Sequence, residues 1–128
     1  MPTFRKRVRF YNVAATISEK ADAMVDTGAT FCQVPAEMAE RLQLTPSGSR
    51  RLRLANGQII EYGVANALVE LADQKEAVAT SVIIGAQGGP VLLGALALDA
   101  LGLGIDTDGR RLIEKVGDLL FETRWPTI

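Results

Sequence analysis

The chain contains no histidine and a single cysteine, Cys32, in 128 residues. Without an imidazole there is no Ser-His or Cys-His nucleophile pair and no His-ligated zinc site. One thiol makes no intrachain disulfide and no cysteine cluster for a metal, and Cys32 itself reads as a small buried hydrophobe. Acid–base chemistry therefore falls to Asp, Glu, Lys or Tyr. Aromatic residues are only 5% of the chain and the formal net charge is -1, so there is no overall field to draw nucleic acid or membrane. No apolar run approaches the length of a bilayer span, because glycine and charged residues interrupt each one. The cluster Arg5-Lys6-Arg7-Val8-Arg9 would suit the positive region of a signal peptide. The residues that follow, Tyr11 to Lys20, include Asn12, Ser18, Glu19 and Lys20 and are no hydrophobic core of one. A cytoplasmic protein is the expectation.

Hydrophobic residues make up 48% of the sequence, enough for a real core, and the length suits one domain rather than two. The expected organisation is a single domain over 1–128, with its core at about 8–116 and a C-terminal extension at 117–128. That domain is organised around Met24-Val25-Asp26-Thr27-Gly28-Ala29-Thr30. An apolar approach, Ala23 to Val25, runs into an acid, a hydroxyl, a glycine and a small residue. This pattern describes a strand that ends by presenting a carboxylate at a tight turn. Gly28 lets the backbone bend and leaves space beside Asp26, and Thr27 offers both a donor and an acceptor.

In chain order, Tyr11, Val13, Ala15 and Ile17 alternate with Asn12, Ala14, Thr16 and Ser18 and predict a strand. Val8 and Phe10 lie on the other phase, which predicts a bulge or a change of partner near Phe10 to Tyr11. Ser18-Glu19-Lys20 is then the turn, and Ala21 to Val25 the returning strand. The basic residues around Val8 are expected to form a solvated edge. Pro35 opens a short helix with Met38, Ala39 and Leu42 on its apolar face, and Glu37 and Arg41 are spaced to pair outside it. Leu52 and Leu54, then Asn56-Gly57, then Ile59 to Tyr62 predict a hairpin with a two-residue type I′ turn. Val64 to Leu71 and Glu76 to Ile84 are two further strands. Val91-Leu92-Leu93-Gly94 is a short buried strand, and Ala95 to Leu101 is a helix closed by Gly102. Asp108-Gly109 marks a second hairpin leading to Arg111-Leu112-Ile113. Leu119, Leu120, Phe121 and Trp125 form an apolar group expected to pack on the core or on another subunit.

The Asp26 stretch, continued as Phe31-Cys32-Gln33-Val34-Pro35, resembles the active-site loop of aspartic proteases. The following helix and Leu92-Leu93-Gly94 resemble the retropepsin-like (retroviral-type) branch, including its small bacterial members. The resemblance covers roughly residues 8 to 116. It implies an all-β, closed or nearly closed barrel-like acid-protease domain with one or two short helices, homodimeric and free of metal and cofactor. It further implies a peptide or protein substrate, no nucleic-acid or membrane partner, and an aspartic endopeptidase activity.

Peptide hydrolysis by carboxylates needs one to take a proton from water and another to give one to the carbonyl oxygen. The chain has one Asp-Thr-Gly, so a symmetric dimer is expected to bring Asp26 opposite its copy. By resemblance Thr27 braces the dyad, and Gly28, Ala29 and Thr30 lie beneath the substrate. Leu54, Ala55, Asn56, Gly57 and Gln58 form a flap over it, and Pro90 and Leu92 form pocket wall. Two departures stand out. Ala95-Leu96 follow the second motif where relatives often carry a polar or charged residue, and Thr30 stands where retroviral enzymes often have a second acid. The alternatives are a binding or dimerisation module of the same fold that cleaves nothing, and a nucleic-acid-associated protein using Arg5 to Arg9 and Arg50 to Arg53.

Overall fold

A computed structural model describes residues 4–106, 108 and 110–117. The chain begins with β1 (Phe4–Tyr11) and β2 (Ser18–Val25), paired antiparallel without a break from Phe4↔Val25 to Tyr11↔Ser18. Val8, Phe10, Ala23 and Val25 all face inward and are fully buried. β1 has no bulge at Phe10–Tyr11 and keeps β2 as its partner throughout, and of the strand expected over Tyr11 to Ile17 only Tyr11 lies in a strand, the rest forming the hairpin's turn. Asn12 is the reason. Its Oδ1 accepts from the Thr16 and Ile17 amides at 2.8 and 3.0 Å, and its Nδ2 donates to Thr16 Oγ1 at 2.8 Å. A side chain that satisfies the backbone locally competes with a sheet ladder, and Ala15 sits at φ 57°, outside strand geometry. Ser18 to Lys20, expected as the turn, are the first residues of β2.

After the Asp26 loop come β3 (Cys32–Pro35) and α1 (Ala36–Arg41). Pro35 is the last strand residue and the helix cap, one position earlier than a first helical turn. Met38, Ala39 and Leu42 are buried as their spacing predicts. Glu37 and Arg41 do not pair with each other. Arg41 makes a two-pronged contact with Glu19 of β2, 2.8 Å at each prong. Both Glu37 oxygens accept from the Gly88 amide.

β4 (Gly48–Arg53) and β5 (Ile59–Leu71) make the next hairpin, and β6 (Ala77–Gly85) returns along β5. The outgoing arm at Ile59 and the strand expected from Val64 are thus one continuous strand. β7 (Leu92–Leu93) leads into α2 (Ala95–Ala100), whose exit uses Gly102 at φ 71°. β8 (Leu103–Ile105) and β9 (Leu112–Glu114) pair with each other in a separate two-stranded sheet. The turn at Asp108-Gly109 and the apolar group from Leu119 to Trp125 fall wholly or partly outside the described residues.

The main sheet has the order β1-β2-β7-β3-β6-β5-β4, and a further β1–β5 pairing over Val8–Tyr11 closes it into a ring of strands with β4 outside. Tyr11 reinforces that seam by donating to Glu70 at 2.9 Å. β1 is therefore no free edge beyond Val8, and its basic residues instead pair across the surface, Lys6 with Asp73 and Arg7 with Asp22. Inside the ring lie Val8, Phe10, Val25, Val34, Ala65, Ala67, Val69, Val82 and Leu93, with Met38, Leu42 and Leu98 packed beside them from and around the two helices. The fold is mostly β with two short helices, as expected.

Candidate active site

β7 lies between β2 and β3, parallel to the first and antiparallel to the second. Val25 and Leu93 are buried side by side, so the strand carrying Asp26 is fixed up to the residue before the acid. Asp26 then leaves the sheet. Its amide donates to the Leu93 carbonyl at 3.1 Å, and its own carbonyl accepts from Ala29 N at 3.1 Å. Its Oδ1 accepts from Gly28 N at 2.8 Å. The carboxylate is oriented by its own turn and stays half-buried, while Thr27, Gly28 and Thr30 are exposed.

The loop is held from the other side by α2. No side chain caps this helix. The Ala95 and Leu96 amides, which a helix start leaves without partners, donate to Ala29 O at 2.8 Å and Thr30 O at 3.0 Å. The departure at Ala95-Leu96 thus lies at a corner held by main-chain bonds, which need no charged side chain. Gly94 makes this approach feasible. A Cβ there would collide with the Phe31 carbonyl and stand 2.9 Å from Ala29 O. The short spacing of Leu92-Leu93-Gly94 marks the residue, but nothing local to it reveals the chain it crosses.

Thr27 opens onto a cavity of about 700 Å³ between α2 and the β8–β9 hairpin. Leu98, Leu103, Ile105 and Ile113 give it apolar walls, with Asp99, Asp106 and Lys115 among the charged lining groups. Arg111 holds Asp106 at 2.7 Å. Sequence reading missed this cavity, because its walls come from elements that only the ring brings together. Leu54 to Gln58, Pro90 and Leu92 do not line it. Leu92 is half-buried beside Met24 and Gln33, and Pro90 is exposed in the loop before it.

The Leu54–Gln58 tip differs from the expected two-residue turn. Leu54 N donates to Gln58 O at 2.8 Å, Gly57 N to Leu54 O at 2.9 Å, and Gln58 N to Asn56 Oδ1 at 2.9 Å. Gly57 is left-handed at φ +85° and Asn56 is not. This is a three-residue loop, in which a tight turn is followed by one left-handed glycine. The Asn56 side chain favours it by bonding two residues ahead.

Burial pushes the Cys32 thiol up, away from the reactive thiolate. Among the described residues no group of three His, Cys, Asp or Glu side chains is arranged to hold a metal. No described helix is long and apolar enough to cross a membrane.

Residues 13–100 match the family model described as gag-polyprotein putative aspartyl protease. The chain belongs to that family. The matched span holds the Asp26 loop, the β4–β5 hairpin and Gly94, and stops short of the β8–β9 wall of the cavity. Among solved structures, this aspartyl protease family member is similar to a retropepsin-like aspartic protease from Rickettsia conorii. The two share 25% identity over 83% of this chain and 86% of that one, with a TM-score of 0.50. No curated protein sequence matches.

Proposed function

We propose that the protein is an aspartic endopeptidase that works as a homodimer, with one Asp26 from each copy forming the catalytic pair. The observation that carries this reading is the Asp26 corner itself. In a chain without histidine, an acid is set at a strand end by main-chain bonds from Leu93, Ala29 and Gly28, with its neighbours Thr27 and Gly28 exposed. One chain offers one such acid, and a two-fold axis beside it would supply the other.

Two carboxyls about 3 Å apart do not both ionise, so the pair shares a proton and titrates as a unit. The ionised Asp26 takes a proton from water as the water oxygen attacks the peptide carbonyl carbon. The partner subunit's Asp26, protonated, gives its proton to the carbonyl oxygen. A tetrahedral diol results, with the proton now on the first acid. Its collapse returns a hydroxyl proton to one carboxylate, breaks the C–N bond, and passes the other acid's proton to the leaving nitrogen. Thr27 braces the pair across the axis, Gly28, Ala29 and Thr30 lie under the substrate backbone, the 54–58 tip covers it, and Pro90 and Leu92 wall the cleft.

Asp26→Asn is nearly isosteric and removes the acid. Turnover of an unstructured test protein is expected to fall by roughly a thousandfold or more, with the melting temperature unchanged. Excess Asp26→Asn mixed with wild type should also poison activity, and specific activity should fall on dilution with the dimer population. Retained turnover in the purified variant would end the aspartic-protease reading. A fully active monomer would overturn the dimer and point to Asp99 or Asp106, which line the cavity beside Thr27.

A further inference from the structure

The loop between β6 and β7 has a composition that leaves it little order of its own. Gly85, Gly88 and Gly89 fall within six residues, and Ala86, Gln87, Gly88 and Pro90 are exposed. It is nevertheless pinned at three points. At its start, Gly85 pairs with Pro35 and packs so closely on Gln33 that a Cβ would lie 2.7 Å from Gln33 Nε2. At its end, the Val91 carbonyl accepts from Met24 N at 2.9 Å, two residues before Asp26. In the middle, the Gly88 amide donates to both carboxylate oxygens of Glu37, at 2.9 and 2.8 Å, from a residue 51 positions away in sequence.

The middle contact is the one that depends on a single side chain. Gly88 takes φ +74° and Gly89 N closes back on Ala86 O at 3.0 Å, so the turn presents the Gly88 amide outward. An outward amide on a glycine-rich turn would ordinarily be left to water. A carboxylate from the first turn of α1 meets it instead, and a charged acceptor makes a stronger bond than a neutral one. We propose that Glu37 is a positioning residue for substrate binding: by holding Gly88 it fixes the 86–90 loop, and with it the Pro90 end of the cleft wall, while Leu92 is held by its own strand.

This inference rests on the proposed assignment of Pro90 and Leu92 to the cleft. Ordering a flexible wall when substrate arrives costs conformational entropy, and a wall already ordered does not incur that cost. Glu37 touches no reacting atom, so its loss should weaken binding of ground and transition states alike and leave the chemical step alone.

The test uses the full chain as wild type, Glu37→Ala and Glu37→Gln, with two readouts. Amide hydrogen exchange at Gly88 reports the clamp, and steady-state cleavage of a peptide substrate reports its use. Glu37→Ala should exchange Gly88 faster and raise KM roughly three- to tenfold, the scale of one charge-assisted hydrogen bond at a wet site. Its kcat and melting temperature should stay near wild type. Glu37→Gln keeps an oxygen acceptor and should recover most of both effects. Equal Gly88 exchange in wild type and Glu37→Ala would overturn the clamp. Faster exchange with an unchanged KM would show that the loop does not meet substrate. A fall in melting temperature with no rescue by Glu37→Gln would reduce Glu37 to a structural contact. Absence of cleavage by wild type would show in the control before any variant is compared. It would sink the protease reading and the KM claim together, while the exchange data would still judge the clamp.

Discussion

The Asp26 corner and the Leu54–Gln58 tip are both glycine-bearing turns, and they are held in opposite ways. Every hydrogen bond at the tip stays within the hairpin, from Leu54 to Gln58, and Ala55 to Ile59 are exposed. At the corner the decisive bonds come from elsewhere in the chain. Leu93 binds Asp26, and α2 binds Ala29 and Thr30 through residues more than sixty positions later in sequence. A turn with only local bonds can move as a unit at little cost, whereas a corner tied to a buried strand moves only if that strand moves. In the proposed function the two turns take different parts: the corner holds the carboxylate still, and the tip is the cover that opens.

That contrast can be broken at one residue on each side. Gly94→Ala is expected to have the largest effect on stability, because its Cβ meets the Phe31 and Ala29 carbonyls rather than a yielding side chain. A loss of about 3 kcal/mol in urea unfolding is expected, at the top of the ordinary range for overpacking. A variant as stable as wild type would mean that the corner is softer than its bonds suggest.

Gly57→Val acts at the tip. A β-branched residue at φ +85° is strained by about 1–2 kcal/mol, and the strain is relieved by local rearrangement. The melting temperature should therefore drop far less than in Gly94→Ala, while kcat/KM falls several-fold. Asn56→Val should be milder than Gly57→Val, since Asn56 is not left-handed and loses only its bond to Gln58. Unchanged kinetics in a Gly57→Val protein with a rearranged tip would reduce the proposed flap to a plain hairpin.

The smallest effect belongs to the clip that fastens α1 to β2. The hydrogen bond from Arg41 holds the Glu19 carboxyl below its usual pKa. A depressed folded-state pKa contributes stability above the unfolded value and loses it as pH falls through the folded value. Glu19→Gln should thus lower the melting temperature slightly at neutral pH, and the difference from wild type should vanish in acid below the carboxylate range. A gap that persists there would assign the loss to packing instead. The effect is small because both side chains are substantially solvated.

Local chemistry was legible in the sequence and crossing chains were not. Asp26-Thr27-Gly28 after Ala23 to Val25 marks its corner because the acid, the glycine and the apolar approach are contiguous. The β4–β5 hairpin is announced by Asn56-Gly57, although the two-residue turn expected from the dipeptide would make both residues left-handed and only Gly57 is. The alternation from Tyr11 to Ile17 misled because small residues such as Ala14 and Ala15 satisfy a strand pattern without demanding burial. One Asn12 side chain then decided for a turn. Glu37 and Arg41 had the right helical spacing to pair, yet each found a partner on another element. The cavity beside Thr27 needed α2 and β8–β9 together, which no window of sequence contains.

The threading of β7 between β2 and β3 also bears on when the site comes into being. β2 and β3 flank the Asp26 loop and are close in sequence, yet the strand that joins them, Leu92–Leu93, pairs with Met24–Val25 across nearly seventy residues. During synthesis the acid is made long before the strand that orients it, and long-range pairing of this kind is slow to form. A growing chain carries Asp26 on an unfinished corner, with no Leu93 carbonyl to hold its amide and no α2 to seat Ala29 and Thr30. The Asp26 corner is therefore complete only once β7 and α2 have been made and have paired back onto it.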